Sequence, residues 1–166
     1  MPDFEFVLGL VSRWLHILAA IAAVGGTFFA RAVVFPTLAP LPDEERTRLH
    51  TALRERWATI VKAAIGFLLV SGLYNFMLTV TQYKVPPWYH MVFGIKFLLA
   101  MAIFAIASLL IGKSPAAQAV RARAPFWLNV NIALAVAVVC LSGVLRMAEK
   151  TPKPPAGEPV EGLAKS

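Results

Sequence analysis

The sequence is poor in charged residues, and acidic residues are the scarcest of them. Asp, Glu, Lys and Arg together make up 15% of the 166 residues, whereas hydrophobic residues make up 58%. A soluble domain is normally about one quarter charged and about half apolar. The mean hydropathy of +0.69 agrees with this imbalance. A water-soluble monomer of this length could not bury so much apolar surface, so the composition excludes an ordinary soluble domain.

Cysteine and the familiar catalytic motifs are also scarce. The one cysteine, Cys140, lies in an apolar run, so neither an intrachain disulfide nor a CxxC motif can form. The chain has no HExxH, no GxSxG, no phosphate-binding loop and no paired carboxylates. The predicted spans contain no Asp or Glu, which disfavours a carboxylate proton relay or a cation pump.

Long apolar runs are what the sequence does contain. A helix needs about 20 mostly apolar residues to cross a bilayer. Runs of this kind cover approximately residues 7–34, 58–80, 89–112 and 126–146. They lack the alternation of barrel strands, and helices satisfy their own backbone groups in lipid. The sequence therefore predicts an all-α, polytopic membrane protein, a four-transmembrane-helix bundle with the lipid bilayer as its first partner.

The segments outside the spans have distinct compositions. After Asp43, a predicted cap, residues 44–57 combine arginines with Leu49 and Leu53, a pattern typical of an interfacial amphipathic helix that runs into the second span. Residues 150–166 are polar and rich in proline, and we expect them to be disordered. The domain prediction is thus one transmembrane domain over residues 1–149, followed by this tail.

Basic residues flank the spans and give the chain a net charge of +7. This placement indicates headgroup anchors and topology signals rather than nucleic-acid binding. The second connection between spans holds only Lys84, whereas the first and third hold Arg46, Arg48, Arg54, Arg56, Lys113, Arg121 and Arg123. The positive-inside rule predicts that these two connections are cytoplasmic and that both termini lie outside the inner cell membrane.

Polar residues inside the spans are the candidate site. Ionisable groups at such depth are costly and usually face the bundle interior. Because successive helices alternate in direction, we expect four of them to fall in one half of the membrane, namely His16, Asn75, Lys96 and Arg146. We predict that these four bind a cofactor. Arg31, Lys62, Asn129 and Asn131 fall at the opposite end.

The chemistry of these side chains suggests a metal. Neutral imidazole ligates haem iron or copper, and a deprotonated lysine can ligate iron. His16 and Lys96 are therefore the predicted metal ligands, and Lys96 or Arg146 could instead pair with a porphyrin propionate. Simpler roles are equally compatible with the pattern. Asn75 can serve in plain interhelical hydrogen bonding, the small residues after His16 in plain helix packing, and Arg146 as a headgroup anchor.

Three segments carry a resemblance to a known family: "RWLHILAAIAAVGGTFFAR", "HMVFGIKFLLAMAIF" and "NVNIALAVAVV". Over roughly residues 10 to 147, the chain resembles the HemJ-type protoporphyrinogen oxidases and their relatives in the CopD-like (copper resistance D) superfamily. The resemblance implies a four-helix membrane bundle that binds haem b. It also implies oxidation of protoporphyrinogen IX, with electrons passed to a respiratory quinone.

The resemblance also assigns residues. His16 and Lys96 occupy the positions of that family's essential His and Lys, and Arg31 lies near its Arg. Lys96 and Arg31 are accordingly the predicted catalytic residues. Asn129 or Asn131 lies near the family's Asn of the fourth helix. Two alternatives remain: a CopD-like protein that handles copper, and an accessory subunit of a larger membrane complex or homo-oligomer.

Overall fold

The computed structural model describes residues 4–153, and nearly all of them are helical. The helices are Phe4–Phe29 (α1), Phe35–Leu38 (α2), Asp43–Gln82 (α3), Pro87–Ile111 (α4), Pro115–Arg121 (α5) and Ala124–Met147 (α6). A π-helical segment, Ala30–Val34, joins α1 to α2. The prediction of an all-α fold is confirmed.

Four helical stretches are long and apolar enough to cross a membrane. They are Phe4–Leu38, Asp43–Gln82, Pro87–Ile111 and Ala124–Met147. Large apolar side chains point away from the bundle along these stretches, for example Val70, which is 72% exposed, and Leu98, which is 69% exposed. Such surface is stable against hydrocarbon but not against water. The predicted four-span bundle is therefore confirmed.

The four long helices form a closed ring. Helix α1 packs against α3, α3 against α4, α4 against α6, and α6 returns to α1. Short connections between successive spans make neighbouring helices antiparallel, as in an up-down-up-down bundle. This arrangement leaves one central space that all four helices face.

Helix α3 is much longer than a membrane span. The segment expected to be an amphipathic helix forms the first part of α3 and continues into the second span without a break. Between Asp43 and Gly66 the sequence has no glycine or proline that would end the helix. Its 40 residues reach about 60 Å, roughly twice the hydrocarbon thickness.

The path of the first helix is extended by the π-helical segment Ala30–Val34. The sequence suggests an end at Phe35–Pro36, yet helical structure continues to Leu38. The backbone N–H of Phe35 bonds the carbonyl of Ala30, five residues earlier. A widened turn of this kind lets a proline enter a helix without a clash against the preceding carbonyl groups.

Small residues bring α1 and α3 close together. A Cβ atom on Gly9 would lie 3.1 Å from Leu78, and one on Gly26 would overlap the indole ring of Trp57. Without a hydrophobic drive between helices in lipid, close packing of this kind is the main source of association. The glycines therefore set the distance between the first two membrane helices.

The chain after α6 folds back onto the connection between α3 and α4. Strands Tyr83–Lys84 (β1) and Thr151–Pro152 (β2) pair antiparallel. The backbone N–H of Lys153 donates to Gln82 O (2.9 Å), and its ammonium donates to Val80 O (2.6 Å) at the end of α3. The segment predicted to be disordered thus begins with an ordered contact. Its remaining residues, 154–166, lie outside the described part of the chain.

Candidate ligand cavity

A cavity of about 490 Å³ lies at the centre of the bundle. All four long helices line it, and most of the lining side chains are apolar. Its volume falls within the range of small-molecule sites, roughly 300–1,000 Å³. Alanines on three of the helices, such as Ala20, Ala100 and Ala135, leave the space open. The polar lining residues are His16, Thr27, Lys96, Asn131 and Ser142.

The imidazole of His16 is held by α3. Its Nδ1 atom lies 2.9 Å from the Oγ atom of Ser71, which is 6% exposed. The hydroxyl of Ser71 donates its single proton to the carbonyl oxygen of Phe67, one turn earlier in the same helix. The Ser71 oxygen can therefore only accept from His16, so this hydrogen-bond network assigns the ring proton to Nδ1. In a neutral His16, Nε2 then carries a free lone pair.

Gly72 leaves room for the imidazole ring of His16. A Cβ atom at position 72 would lie 3.2 Å from Cε1 of His16 and 3.7 Å from Nδ1. The former contact is tighter than ordinary van der Waals packing, so a larger residue would displace the imidazole. Ser71 and Gly72 together fix both the orientation and the depth of His16.

Lys96 reaches the same cavity from α4. The ion pairs among residues 4–153 are Arg46–Asp43 and Lys113–Glu55, so Lys96 has no carboxylate partner in the described chain. An unpaired lysine on an apolar cavity wall is costly, and such a residue in a membrane protein points to a functional role. The structure therefore brings His16 and Lys96 to one cavity, as the depth argument predicted.

The other predicted site residues lie elsewhere. Asn75 and Arg146 do not line the cavity, and Arg146 is exposed. Arg31 lies in the π-helical segment, where its Nε atom donates to Oδ1 of Asn129 at 2.8 Å. This pair joins the first helix to α6 at the end of the bundle opposite His16. Of the four residues predicted to bind a cofactor, only His16 and Lys96 therefore line the cavity.

Aromatic rings adjoin the His16 end of the cavity. Phe93 lines it and stacks on Phe76, with ring centroids 3.7 Å apart and planes at 13°. Both rings pack against a buried cluster that includes Tyr89 and Leu145. These contacts join α3, α4 and α6, so they separate this end of the cavity from the nearer membrane surface.

Asn131 lines the cavity, although the sequence pattern placed it at the opposite end of the spans from His16 and outside the predicted cofactor set. It is 4% exposed, and its Oδ1 atom has no hydrogen-bond partner among residues 4–153. It lies on the same face of α6 as Ala135, Val138 and Ser142, which all line the cavity. This spacing of three to four residues was a usable signal, because it marks one side of a helix.

The described residues 4–153 contain no group of three or more His, Cys, Asp or Glu side chains that could hold a metal ion. Within this range, His16 is the single imidazole on the cavity wall. A metal here would therefore need most of its ligands from a ring such as a porphyrin, with the protein supplying an axial ligand.

The fold and the cavity define a class of protein: an integral, polytopic α-helical membrane protein whose four long helices line an apolar cavity with a few polar groups. No protein-family model, curated protein or solved structure matches the chain.

Proposed function

We propose that this protein binds haem b in the central cavity and takes part in membrane redox chemistry of the protoporphyrinogen oxidase type. One observation carries the proposal: Nδ1 of His16, a residue that lines the cavity, lies 2.9 Å from Oγ of Ser71. With the ring proton assigned to Nδ1, the lone pair of Nε2 is left for a metal. A histidine that ligates a metal usually donates its other ring N–H to a second group in this way. Haem iron is commonly held by such a histidine.

The remaining walls of the cavity suit a porphyrin. The lining is mainly aliphatic and aromatic, as a macrocycle requires, and Phe93 and Phe97 lie on the same helix face as Lys96. Among the described residues that line the cavity, Lys96 is the one cation. Its ammonium would pair with a propionate, or its neutral amine would be a second protein ligand of the iron. Bound haem would supply one-electron transfer, while His16 and Lys96 would hold and orient it.

The cellular setting belongs to the same proposal. Basic residues in the first and third connections favour a cytoplasmic location for these segments, with both termini outside the inner membrane. A site inside the bilayer is accessible to a lipid-soluble porphyrin substrate and to a membrane quinone as electron acceptor.

An absorption spectrum tests the proposal. The protein is expressed with ample haem supply and purified in detergent. We expect a Soret band that is lost in His16→Ala. The chain offers matched controls in its other two histidines, because His50 and His90 do not line the cavity. His50→Ala and His90→Ala should keep the band.

Two results would overturn the proposal. A wild-type protein without any haem feature would do so, and bound copper in that preparation would favour the copper-handling alternative. A Soret band that survives in His16→Ala would show that the haem is held elsewhere. Co-purification with other membrane proteins and no cofactor would favour the accessory-subunit alternative.

A further inference from the structure

The end of the cavity farthest from His16 and Lys96 has its own polar groups. Thr27 lies roughly 16 Å from His16 along the axis of α1, at about 1.5 Å per residue. Asn131 faces this end from α6, and both residues line the cavity. A group held at His16 would therefore not be within hydrogen-bonding reach of this end.

Asn131 is a buried polar group without a partner. Its side chain is 4% exposed and its Oδ1 atom accepts no hydrogen bond within residues 4–153. Buried polar atoms are nearly always paired, since an unpaired one loses its hydration without gaining a new hydrogen bond. Because this unpaired acceptor lies on the wall of a cavity, a ligand bound there can complete it.

Thr27 limits the kind of ligand. Its Oγ1 atom donates to the carbonyl oxygen of Ala23 at 2.8 Å, so the hydroxyl proton is already used. The oxygen can only accept a further hydrogen bond. A ligand group that satisfies Thr27 must therefore donate, which a ketone or an ether cannot do. The amide of Asn131 can both donate and accept.

Charge at this end is also limited. Within the described part of the chain, Lys96 is the only charged residue that lines the cavity, and it lies toward the other end. Arg31 belongs to this end of the fold, but it donates to Asn129 and does not line the cavity. A carboxylate or an ammonium group here would be buried in apolar surroundings without a counter-charge. The ligand group at this end is therefore neutral.

We propose that Thr27 and Asn131 form a second binding subsite, which takes the hydroxyl group of an uncharged, elongated apolar ligand. The hydroxyl shares its proton between the two acceptors, the unpaired Oδ1 atom of Asn131 and the Oγ1 atom of Thr27, in a three-centre hydrogen bond. The apolar body lies along the aliphatic wall of the cavity. The polar groups of this subsite differ from those of the proposed haem site, so the subsite does not depend on a metal at His16. Both sites share one cavity, so haem and an elongated ligand would compete for its space.

A matched pair of probes tests the subsite, namely lauryl alcohol and lauryl methyl ether. They share an apolar body, and the ether lacks the donor hydrogen. The full-length protein is studied in a detergent without an alkyl chain, and affinities come from the rise of the thermal midpoint with probe concentration. The wild type should bind the alcohol about five- to tenfold more tightly than the ether, the value of one hydrogen bond.

Variants identify the residues that cause the preference for the alcohol over the ether. Asn131→Leu should bring the ratio of the two affinities close to one, and Thr27→Val should reduce it at least partly. Asn75→Leu is the matched control, because Asn75 also has a buried, unpartnered Oδ1 atom within residues 4–153 but does not line the cavity. It should keep the wild-type ratio. His16→Ala should keep it too, which separates this test from that of the haem site.

Three results would overturn the subsite. One is equal affinity of the wild type for the alcohol and the ether. Another is loss of the preference in Asn75→Leu as well as in Asn131→Leu. The third is a clearly lower midpoint of Asn131→Leu in the absence of probe, because this would show that the amide already has a structural partner. If Asn131→Leu fails to fold, the ratio of the two affinities in Thr27→Val decides whether the subsite exists. An unchanged ratio in that variant would overturn the subsite.

Discussion

A single hydrogen bond between side chains, from Nδ1 of His16 to Oγ of Ser71 at 2.9 Å, joins the first two membrane helices at the cavity. Ser71 in turn donates to the backbone of its own helix. The direction of both bonds follows from this chain of donors and acceptors, and it fixes which nitrogen of His16 is free. The identity of the residue at position 71 therefore controls what His16 can do.

Removal of the Ser71 hydroxyl should weaken haem binding. In Ser71→Ala, His16 loses its side-chain acceptor and keeps only a backbone contact to Leu68, so the ring and its tautomer are less firmly fixed. Loss of a group that orients a metal ligand typically reduces metal affinity about 10- to 100-fold. Haem titration of the purified protein measures this. Ser142→Ala is the control, because that hydroxyl lines the cavity but donates to Val138 O. Equal losses in both variants would contradict a specific role for Ser71.

The neighbouring glycines of α1 should differ in their tolerance of a methyl group. A Cβ atom on Gly26 would overlap Trp57, whereas one on Gly25 would meet nothing within 4 Å. We expect Gly26→Ala to cost about 1–3 kcal/mol through overpacking. Gly25→Ala should be neutral or slightly stabilising, since alanine has the higher helix propensity. Thermal unfolding in detergent compares the two variants.

A double variant tests the cause of that loss. Trp57→Leu removes the ring that Gly26→Ala would strike, so the two changes should combine to less than the sum of their separate costs. Additive costs would show that the strain lies elsewhere than between α1 and α3.

Replacement of Lys96 by an apolar residue should stabilise the ligand-free protein. Lys96 has no carboxylate partner among residues 4–153, and its ammonium lies beside an apolar cavity. A central charge in a membrane helix costs about 2.5–3.5 kcal/mol on insertion scales, and the long side chain of Lys96 reduces this figure because its ammonium can shift toward the membrane surface. We therefore expect Lys96→Met to gain about 1–2 kcal/mol in ligand-free stability. The same variant should lose haem affinity.

The control for Lys96 is another membrane lysine. Lys62 lies near one end of the second predicted span, where its ammonium can reach the headgroups, and it does not line the cavity. Lys62→Met should therefore change neither the ligand-free stability nor the haem affinity appreciably. A fall in the stability of ligand-free Lys96→Met would show that the ammonium has a stabilising partner, and the functional interpretation of Lys96 would lose its basis.

The contact between Arg31 and Asn129 should be structural. Their hydrogen bond of 2.8 Å joins the π-helical segment to α6, away from the cavity. A double-mutant cycle with Arg31→Met and Asn129→Ala should give a coupling of about 0.6 kcal/mol, the average for hydrogen bonds between membrane helices. The absorption spectrum should be unchanged in both variants. A changed spectrum would instead support the predicted catalytic role of Arg31.

Much of the architecture could be predicted from the sequence. Apolar runs of sufficient length predicted the four spans, because hydrocarbon requires internally satisfied backbones. The alternation of helix direction predicted that His16 and Lys96 lie at similar depth, and both line the cavity. The same argument also grouped Asn75 and Arg146 with them. Depth along the membrane follows from position in the chain, but rotation about a helix axis does not.

Other features depend on partners that are distant in the chain. Nothing near Ser71 in sequence indicates that it holds His16, and nothing near Gly26 indicates Trp57. The pairing of Tyr83–Lys84 with Thr151–Pro152 joins two-residue strands, which are too short for any periodic pattern. The π-helical segment Ala30–Val34 was not predicted either, because a widened helical turn has no signature in amino-acid composition.

The sequence by itself determined that this chain enters a membrane, how often it crosses, and which polar groups share a membrane half. These properties are sums over local stretches, set by the transfer of side chains and backbone between water and lipid. Only the tertiary structure decided which of those groups face the interior and which atoms are left without a partner. Helix rotation and side-chain pairing are set by packing between helices, and each contact there depends on residues from different parts of the chain.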